Sequence, residues 1–295
     1  MELQHLIKIL LTYIQSMLQF HRIGGGILKV KMLLASTIPN EILATLVPIL
    51  VYWLYAGLHL LLEPIHKYRL HPKNEEDEKN LVPKSSVIKM VLLQQIMQAI
   101  IATLVYKGTQ DKSIEAKNKE KEETTIITII FQFIIAMIVL DTCQYFVHRY
   151  LHHNKFLYQN VHSVHHRLFV PYAYGAFYNH PFEGLLDIIG GALAHWVSGM
   201  TPRTSMLFFS FTTIKAMDDH SGLWLPGNVL HVFFNNNSAY HDVHHQLYGN
   251  KYNFSQPFFV MWDSIMGTHM PYSLHKRLGG GFEARPLLKE HQKLL

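Results

Sequence analysis

Histidine is the residue type whose number and spacing stand out in this chain. Of its 295 residues, 21 are histidines, and 13 of these fall between His148 and His245. Three clusters have a spacing of three or four residues, which places side chains on one face of a helix. The clusters are His148/His152, His162/His165/His166 and His241/His244/His245. We expect each cluster to project its imidazoles in one direction.

Metal binding is the chemistry that such clusters predict. Eight imidazoles packed together without an ion would lack hydrogen bonds or, if charged, would repel one another. Imidazole nitrogen is a ligand for Zn, Fe, Cu and Ni, and eight ligands exceed what one ion can use. We therefore expect two ions, each held by about four nitrogens.

Two single histidines are added to the candidate ligands because turn-forming residues hold them in place. His220 lies in DDHSG and His180 lies in NHPFEG. The remaining histidines are expected to be ordinary hydrogen-bonded residues. A metal-bound histidine usually donates its second N–H group to a carboxylate or a carbonyl. The nearby carboxylates that could accept it are Asp141, Glu183, Asp218, Asp219, Asp242 and Asp263.

Membrane helices are the elements that must position these clusters. Charged residues make up 16% of the chain, against about 25% in a typical soluble domain. Stretches without Asp, Glu, Lys or Arg occur at Ile42–Leu62, Met90–Tyr106 and Thr124–Leu140. Each is close to the length that crosses a bilayer, so we predict three spans, with a buried core helix as the alternative for any one. The third stretch meets the first histidines without Pro or Gly, so its helix should continue through His152.

Two further apolar segments, Gly184–Met200 and Arg203–Met217, are interrupted by charged residues, Gly and Pro. We predict two half-spans or a re-entrant hairpin, because histidines on both sides of this region can meet only if the chain crosses the membrane twice or not at all. The predicted fold is an all-α integral membrane protein with about three firm spans and a broken hairpin. A histidine-rich two-metal site caps it. The Lys and Arg residues on the histidine side predict that this side faces the cytosol.

Composition sets further limits on the organisation of the chain. Two charged stretches, Glu63–Lys89 and Lys107–Glu123, are expected to be solvated loops. The net charge is +5, but no basic stripe alternates with aromatic residues, so nucleic-acid binding is excluded. The single cysteine excludes an intramolecular disulfide. We predict four parts. Residues 1–31 form a leader whose presence in the mature protein is open, and residues 32–123 contain the N-terminal spans with polar loops. Residues 124–286 form the catalytic domain, and residues 287–295 form a tail.

The spacing HX3H … HX2HH … HX2HH in a membrane protein resembles the fatty acid hydroxylase superfamily, which includes sterol oxidases, desaturases, aldehyde decarbonylases and sphingolipid hydroxylases. The strings DTCQYFVHRYLHHNKFLY and NSAYHDVHHQLYGNKYNFSQPFFVMWD resemble its sphingoid-base C4-hydroxylase branch, and the resemblance covers about Asn40–Pro286. It implies a monooxygenase of the endoplasmic reticulum membrane that converts dihydrosphingosine, free or in ceramide, to phytosphingosine. The three clusters would then hold a non-haem di-iron centre.

The resemblance also implies cofactors and partners. Electrons would come from NAD(P)H through a reductase and cytochrome b5, and the haem donor would be a separate protein because the chain has no HPGG motif. Association with a ceramide synthase or with a second copy of the chain is a further expectation. Aromatic residues after the second cluster are expected to wall the acyl tunnel or, alternatively, to pack as ordinary core. They are Tyr172, Tyr174, Phe177 and Tyr178.

Three rival functions remain at this point. A sterol C4-methyl oxidase or a lipid desaturase would use the same iron ligands. A membrane zinc hydrolase is disfavoured because no HExxH motif occurs. A metal transporter would need polar residues within its spans, and the three apolar stretches offer few. Oxygen insertion into an unactivated C–H bond needs a redox metal, which zinc is not, so we expect iron, with zinc only as a substitute acquired during purification.

Overall fold

The computed structural model describes residues 39–109 and 125–287. The leader 1–31, most of the predicted loop Lys107–Glu123 and nearly all of the tail lie outside the described residues. The described chain is mostly helical. Its α-helices are α1 (Asn40–Leu62), α2 (Lys73–Lys79), α3 (Lys84–Thr109), α4 (Ile126–His153), α5 (Lys155–Asn160), α6 (Pro181–Ser198), α7 (Pro202–Asp219), α8 (Val229–Phe233), α9 (Ser238–His245) and α10 (Met261–Ile265). Two short strands follow, β1 (Tyr272–Lys276) and β2 (Phe282–Pro286).

Helices α1, α3 and α4 are the long apolar helices of the described chain. Each contains a segment long and apolar enough to cross a membrane, and this suggests a membrane protein. Their outward leucines and isoleucines are exposed, as at Leu54 (66%) and Ile127 (63%), which suits contact with lipid. The three predicted spans are therefore confirmed as helices. The predicted continuation of α4 past Leu140 is also confirmed, because the helix ends at His153.

Helix α6 runs antiparallel to α4. The Gln144 side chain donates to Asp187 near the histidine end of α4, and the Gln132 side chain donates to the Gly199 carbonyl farther along the helix. The interruption expected within α6 does not occur. An added Cβ at Gly190 would lie 3.4 Å from the Cys143 Cβ, so this glycine lets α6 and α4 approach closely and does not break the helix.

Helix α7 returns beside α1 and parallel to it. Arg203 donates to the Asn40 side chain at the start of both helices, and Tyr55 donates to Asp218 at the opposite end. Helices α6 and α7 each have 18 residues, or about 27 Å at the α-helical rise. The predicted broken hairpin is thus a pair of continuous helices. Gly199, with φ 64°, ends α6, and the Thr201 side chain caps α7.

The segment between α1 and α3 differs from the solvated loop predicted for it. It contains α2 and packs on the histidine end of the molecule, where Leu70 N–H donates to the Gly222 carbonyl. Buried Arg69 and Glu76 form an ion pair at 2.6 Å. Arg69 and Glu76 neutralise each other, so these two charges can be buried, while Asp77, Glu78 and Lys79 stay exposed.

A β-hairpin near the end of the described chain was not predicted. Strands β1 and β2 pair antiparallel, with Leu274 opposite Ala284. The hairpin belongs to an apolar cluster with Leu70, Ala239 and Val243, and the last two residues lie on α9. The hairpin therefore supports the helix that carries the third histidine cluster.

Candidate metal centre

Nine of the ten predicted ligands come together in two groups. In each group, one candidate ligand atom from every residue lies within 4.8 Å of those of the others. All nine side chains are buried except that of His152, which is half-buried. The first group is His148, His152, His162, His166 and His244. The second group is His165, His220, His241 and His245.

The second and third clusters are each divided between the two groups, whereas the spacing had predicted one direction for each cluster. His162 and His166 point to the first group and His165 points to the second. On α9, His241 and His245 share one face, and His244 faces the other group. Each HX2HH motif therefore supplies ligands to both groups and fixes the distance between them.

In the first group the Nε2 atoms converge. His162 Nε2 lies 3.1 Å from the Nε2 atoms of both His148 and His166. His166 Nε2 is also 3.1 Å from His152 Nε2. Metal–imidazole bonds of about 2.0–2.1 Å, known for zinc, would place two nitrogens on one ion roughly 3.0–3.4 Å apart. The spacing of these nitrogens therefore suits a shared ion.

The second group has the same arrangement. His241 Nε2 lies 2.9 Å from His220 Nε2 and 3.0 Å from His245 Nε2. His165 Nε2 is 3.3 Å from His220 Nε2. Four nitrogens at these distances fit a second ion by the same comparison.

Most of the Nδ1 atoms point outward and are held by acceptors in the surrounding chain. A bond from Nδ1–H leaves the Nε2 lone pair free for a metal ion. His162 donates to Glu183 Oε1 at 2.8 Å. Five others donate to backbone carbonyls: His148 to Phe254, His165 to Tyr178, His220 to Ala216, His244 to Tyr252 and His245 to Leu168.

The protonation state of the site also fits metal binding. Burial lowers the pKa of His162 to about 3 and that of His165 to about 4, so both rings are neutral near pH 7 and keep a free lone pair. The Nε2 atom of His244 is buried and, among the described residues, has no hydrogen-bond partner. A buried polar atom without a partner is costly. An ion held by the first group would satisfy it.

Of the predicted carboxylates, Glu183 is the one that contacts a clustered histidine directly. Asp141 instead accepts the backbone N–H groups of Phe258 and Phe259, at 3.1 and 2.6 Å. Asp219 is paired with the fully buried Lys215. Asp141 thus ties a later loop to α4, whereas Asp219 holds Lys215 of the same helix, which donates to the Asn236 carbonyl just before α9. Backbone carbonyls take the place that had been assigned to these side chains.

Asp242 lies between ligands on α9 but faces away from them. His71 Nε2 is 2.9 Å from its Oδ1 atom, and His71 Nδ1 is 3.0 Å from Glu75 Oε2. His71 had been expected to be an ordinary hydrogen-bonded residue, and its contacts agree, but they connect the segment before α3 to the third cluster. Only the pairing of distant segments reveals this link, because no local motif marks His71.

His180 lies outside both groups. Its Nδ1 atom accepts the Phe182 N–H at 3.2 Å and caps the start of α6. The side chain is thus used as a helix cap, and the expected rigid position next to the ions remains a prediction.

The four aromatic residues after the second cluster pack in the core. Tyr172, Tyr174 and Tyr178 are buried in one apolar cluster with Tyr52 of α1. Tyr52 donates a hydrogen bond to the Tyr174 carbonyl at 2.7 Å, and Phe177 stacks on the Tyr52 ring at a centroid distance of 5.0 Å. These contacts agree with the packing alternative, and the acyl-tunnel role remains a prediction.

The fold and the site together indicate a helical membrane protein with two histidine groups that could each hold a metal ion. A family model for fatty acid hydroxylases matches residues 133–268. The chain is 62% identical over 256 residues to sphinganine C4-monooxygenase 1 of Arabidopsis thaliana, covering 86% of this chain and 97% of the relative. This chain belongs to the fatty acid hydroxylase family.

Other relatives carry different names. The very-long-chain aldehyde decarbonylase GL1-9 of Oryza sativa subsp. indica is 56% identical over 254 residues, covering 85% of this chain and 96% of the relative. The sphingolipid C4-hydroxylase SUR2 of Saccharomyces cerevisiae is 37% identical over 251 residues, covering 78% and 72%. No solved structure matches the chain.

Proposed function

We propose that this protein hydroxylates C4 of a sphingoid base with O2 at two histidine-bound iron ions. The observation that carries the proposal is the two groups of converging imidazoles, present in a chain 62% identical to a sphinganine C4-monooxygenase. A second plant relative and two yeast relatives also have names that specify C4 hydroxylation of sphinganine or sphingolipids. Dihydrosphingosine would be the substrate and phytosphingosine the product.

The balance of the reaction supports iron. A C–H bond, O2, two electrons and two protons give a C–OH group and water, so the metal must change its oxidation state, which zinc does not. Iron would supply the redox chemistry, and the all-nitrogen ligand set accommodates it. The protein itself holds the imidazoles neutral, orients them through Nδ1 and encloses them in buried surroundings. Electrons would come from NAD(P)H through a reductase and cytochrome b5.

The proposed location is the endoplasmic reticulum membrane, with the histidine site facing the cytosol. Both ends of the α6–α7 hairpin and the segment between α1 and α3 lie at the histidine end of the molecule. Exposed basic residues such as Arg167, Lys251 and Lys276 lie in this part of the chain, and positive charge favours the cytosolic side. The same side would give cytochrome b5 access to the ions.

Expression in a yeast strain that lacks its own C4-hydroxylase tests the proposed reaction. We expect phytosphingosine to appear in the lipid profile of cells that carry the wild-type protein, and purified protein to contain about two iron ions per chain. Protein that accumulates in membranes with iron bound but yields no phytosphingosine would contradict the proposal.

The names of the rice relatives favour a second candidate, the decarbonylation of very-long-chain aldehydes. The same strain supplied with a very-long-chain aldehyde separates the two functions. A shortened hydrocarbon without phytosphingosine would favour decarbonylation. Phytosphingosine without the hydrocarbon would favour the hydroxylase. Sterol oxidation and desaturation, which have no support of this kind, would appear in the same lipid profile.

A further inference from the structure

We infer that Asp187, with Asn179 and Glu183, binds the charged amino group of the substrate, so that the enzyme prefers a free sphingoid base to its N-acylated form. This inference rests on the proposed function and specifies which form of the substrate the site accepts. Its basis is a set of hydrogen-bond acceptors between α6 and the histidine groups that the rest of the protein leaves partly unused.

The three residues follow one another at intervals of four positions. Glu183 and Asp187 lie on successive turns of α6, so their side chains are neighbours on one face of the helix. Asn179 Nδ2 donates to Asp187 Oδ2 at 3.2 Å, across the position of Glu183. The three side chains therefore form one continuous polar surface.

The two carboxylates are held without a strong cationic partner. Glu183 is paired with the neutral ring of His162, and Asp187 accepts long contacts of 3.2–3.3 Å from the amide groups of Asn179 and Gln144. A carboxylate taken out of water is costly unless a charge or several hydrogen bonds compensate for it. Ionisable residues at membrane depth usually serve a function for this reason.

An unused acceptor atom is the second, independent observation. Glu183 Oε2 is buried and has no hydrogen-bond partner among the described residues. Asn179 and Glu183 are only 8% and 6% exposed. With Asp187 beside them, the surface offers two carboxyl groups and an empty acceptor atom. Its complement is a ligand that carries positive charge and several donor hydrogens.

The surface is next to both metal positions. Glu183 contacts His162 of the first group, and the Asn179 side chain is within hydrogen-bonding reach of His165 of the second. Asp187 is half-buried and contacts Gln144 of α4, one turn toward the membrane from His148. A lipid with its head on this surface would therefore have the adjoining carbons of its chain beside the ions.

A free sphingoid base has the required chemistry. Its ammonium group and two hydroxyl groups are donors, and the amino-bearing carbon is two positions from C4. N-acylation converts the ammonium group into a neutral amide and removes the charge that the carboxylates would bind. The acceptor surface therefore favours the free base.

The test compares two substrates in the purified full-length protein, supplied with reductase and cytochrome b5. Dihydrosphingosine carries the charge, and N-acetyl-dihydrosphingosine has the same chain without it. We expect Asp187→Asn to lower kcat/KM for dihydrosphingosine by about tenfold or more, mainly through KM, because a buried charge pair is lost. The value for the N-acetyl compound should change less than about twofold, and the iron content should stay at the wild-type level.

The matched control is Asp77→Asn, which removes an exposed carboxylate from α2 at the same end of the molecule. It should leave the preference between the two substrates unchanged. If Asp187→Asn shows the wild-type preference, the inference is wrong, although the proposed function stands as long as the wild type forms phytosphingosine. A wild-type protein that hydroxylates neither substrate would contradict the proposed function instead.

A measurement on the wild type covers the case in which Asp187→Asn fails to fold. Octadecylamine and octadecanol share a saturated chain and differ in charge. The amine should inhibit hydroxylation at a concentration at least about tenfold below that of the alcohol. Equal inhibition by the two compounds would show that the site does not recognise the positive charge.

Discussion

The two ring nitrogens of the clustered histidines have separate tasks. At six positions Nδ1 is held by a carbonyl or by Glu183, while the Nε2 atoms approach one another to 2.9–3.3 Å. Neutral rings packed this closely gain little from one another, so an ion between them would provide the missing attraction. The number of histidines in the sequence thus matches two groups that could each hold an ion.

Adjacent histidines at the end of α4 offer a matched test of this division. His152 belongs to the first group, and His153 is exposed. We expect His152→Ala to lower the iron content and to abolish product formation, because one ligand of the first ion is lost. His153→Ala should keep both properties. The measurements are metal content per purified chain and phytosphingosine yield, and equal behaviour of the two variants would contradict the assignment.

Glu183 should act on the metal through His162. We expect Glu183→Ala to weaken metal binding by about 10- to 100-fold, since the residue that orients a ligand is removed. Titration of the purified protein with a chelator measures this change. Glu283→Ala, which removes an exposed carboxylate on β2, is the control and should retain wild-type binding. If the two variants release iron at the same chelator concentration, Glu183 does not support metal binding through His162.

At the scale of elements, the turn after α9 has no space for a side chain at Gly249. An added Cβ at Gly249 would lie 1.8 Å from the Val243 carbonyl oxygen, a backbone atom that cannot move without displacing α9. We expect Gly249→Ala to cost about 1–3 kcal/mol of stability and to reduce iron binding. Gly279→Ala meets no atom within 4 Å and should be neutral. Thermal unfolding of the two holo-proteins measures the difference, and equal midpoints would contradict it.

The helices were more predictable than the segments between them. Hydropathy alone located α1, α3 and α4, because lipid imposes a composition on every residue of a span. The α6–α7 hairpin followed from the need for the histidines to meet. The packing of Glu63–Pro83 and the β1–β2 hairpin could not be predicted, since both depend on contacts with residues far away in the chain.

The grouping of the histidines was predictable from the sequence, but the geometry of the candidate site was not. Nine histidines were named correctly as neighbours of one another. The division of each HX2HH motif between two groups depends on the direction of a short helix, which spacing leaves open. The backbone carbonyls that accept from Nδ1 carry no signature, because every residue has one. His180 was named as a ligand, but its side chain caps α6, and the sequence did not show where that helix starts.

At the scale of the whole molecule, the order of the helices determines which parts share a side of the membrane. Helix α1 runs toward the histidine end, α3 runs away from it and α4 returns. Thr125, at the start of α4, therefore lies at the opposite end from Asp77 on α2. Both residues are exposed.

Cysteine labelling of sealed microsomes tests this arrangement together with the proposed cytosolic orientation. In a Cys143→Ala background, a membrane-impermeant maleimide should label Asp77→Cys without detergent and Thr125→Cys only after detergent is added. The reverse pattern would place the histidine site in the lumen. Labelling of both positions in sealed vesicles would contradict the helix order itself.

The uneven distribution of ligands along the chain has a consequence for assembly. Four of the five histidines of the first group lie between His148 and His166, whereas three of the four in the second group follow the α6–α7 hairpin. A chain emerging from the ribosome would thus present most of the first group before the α6–α7 hairpin has been inserted. If both groups bind ions, we expect the first group to bind its ion before the second.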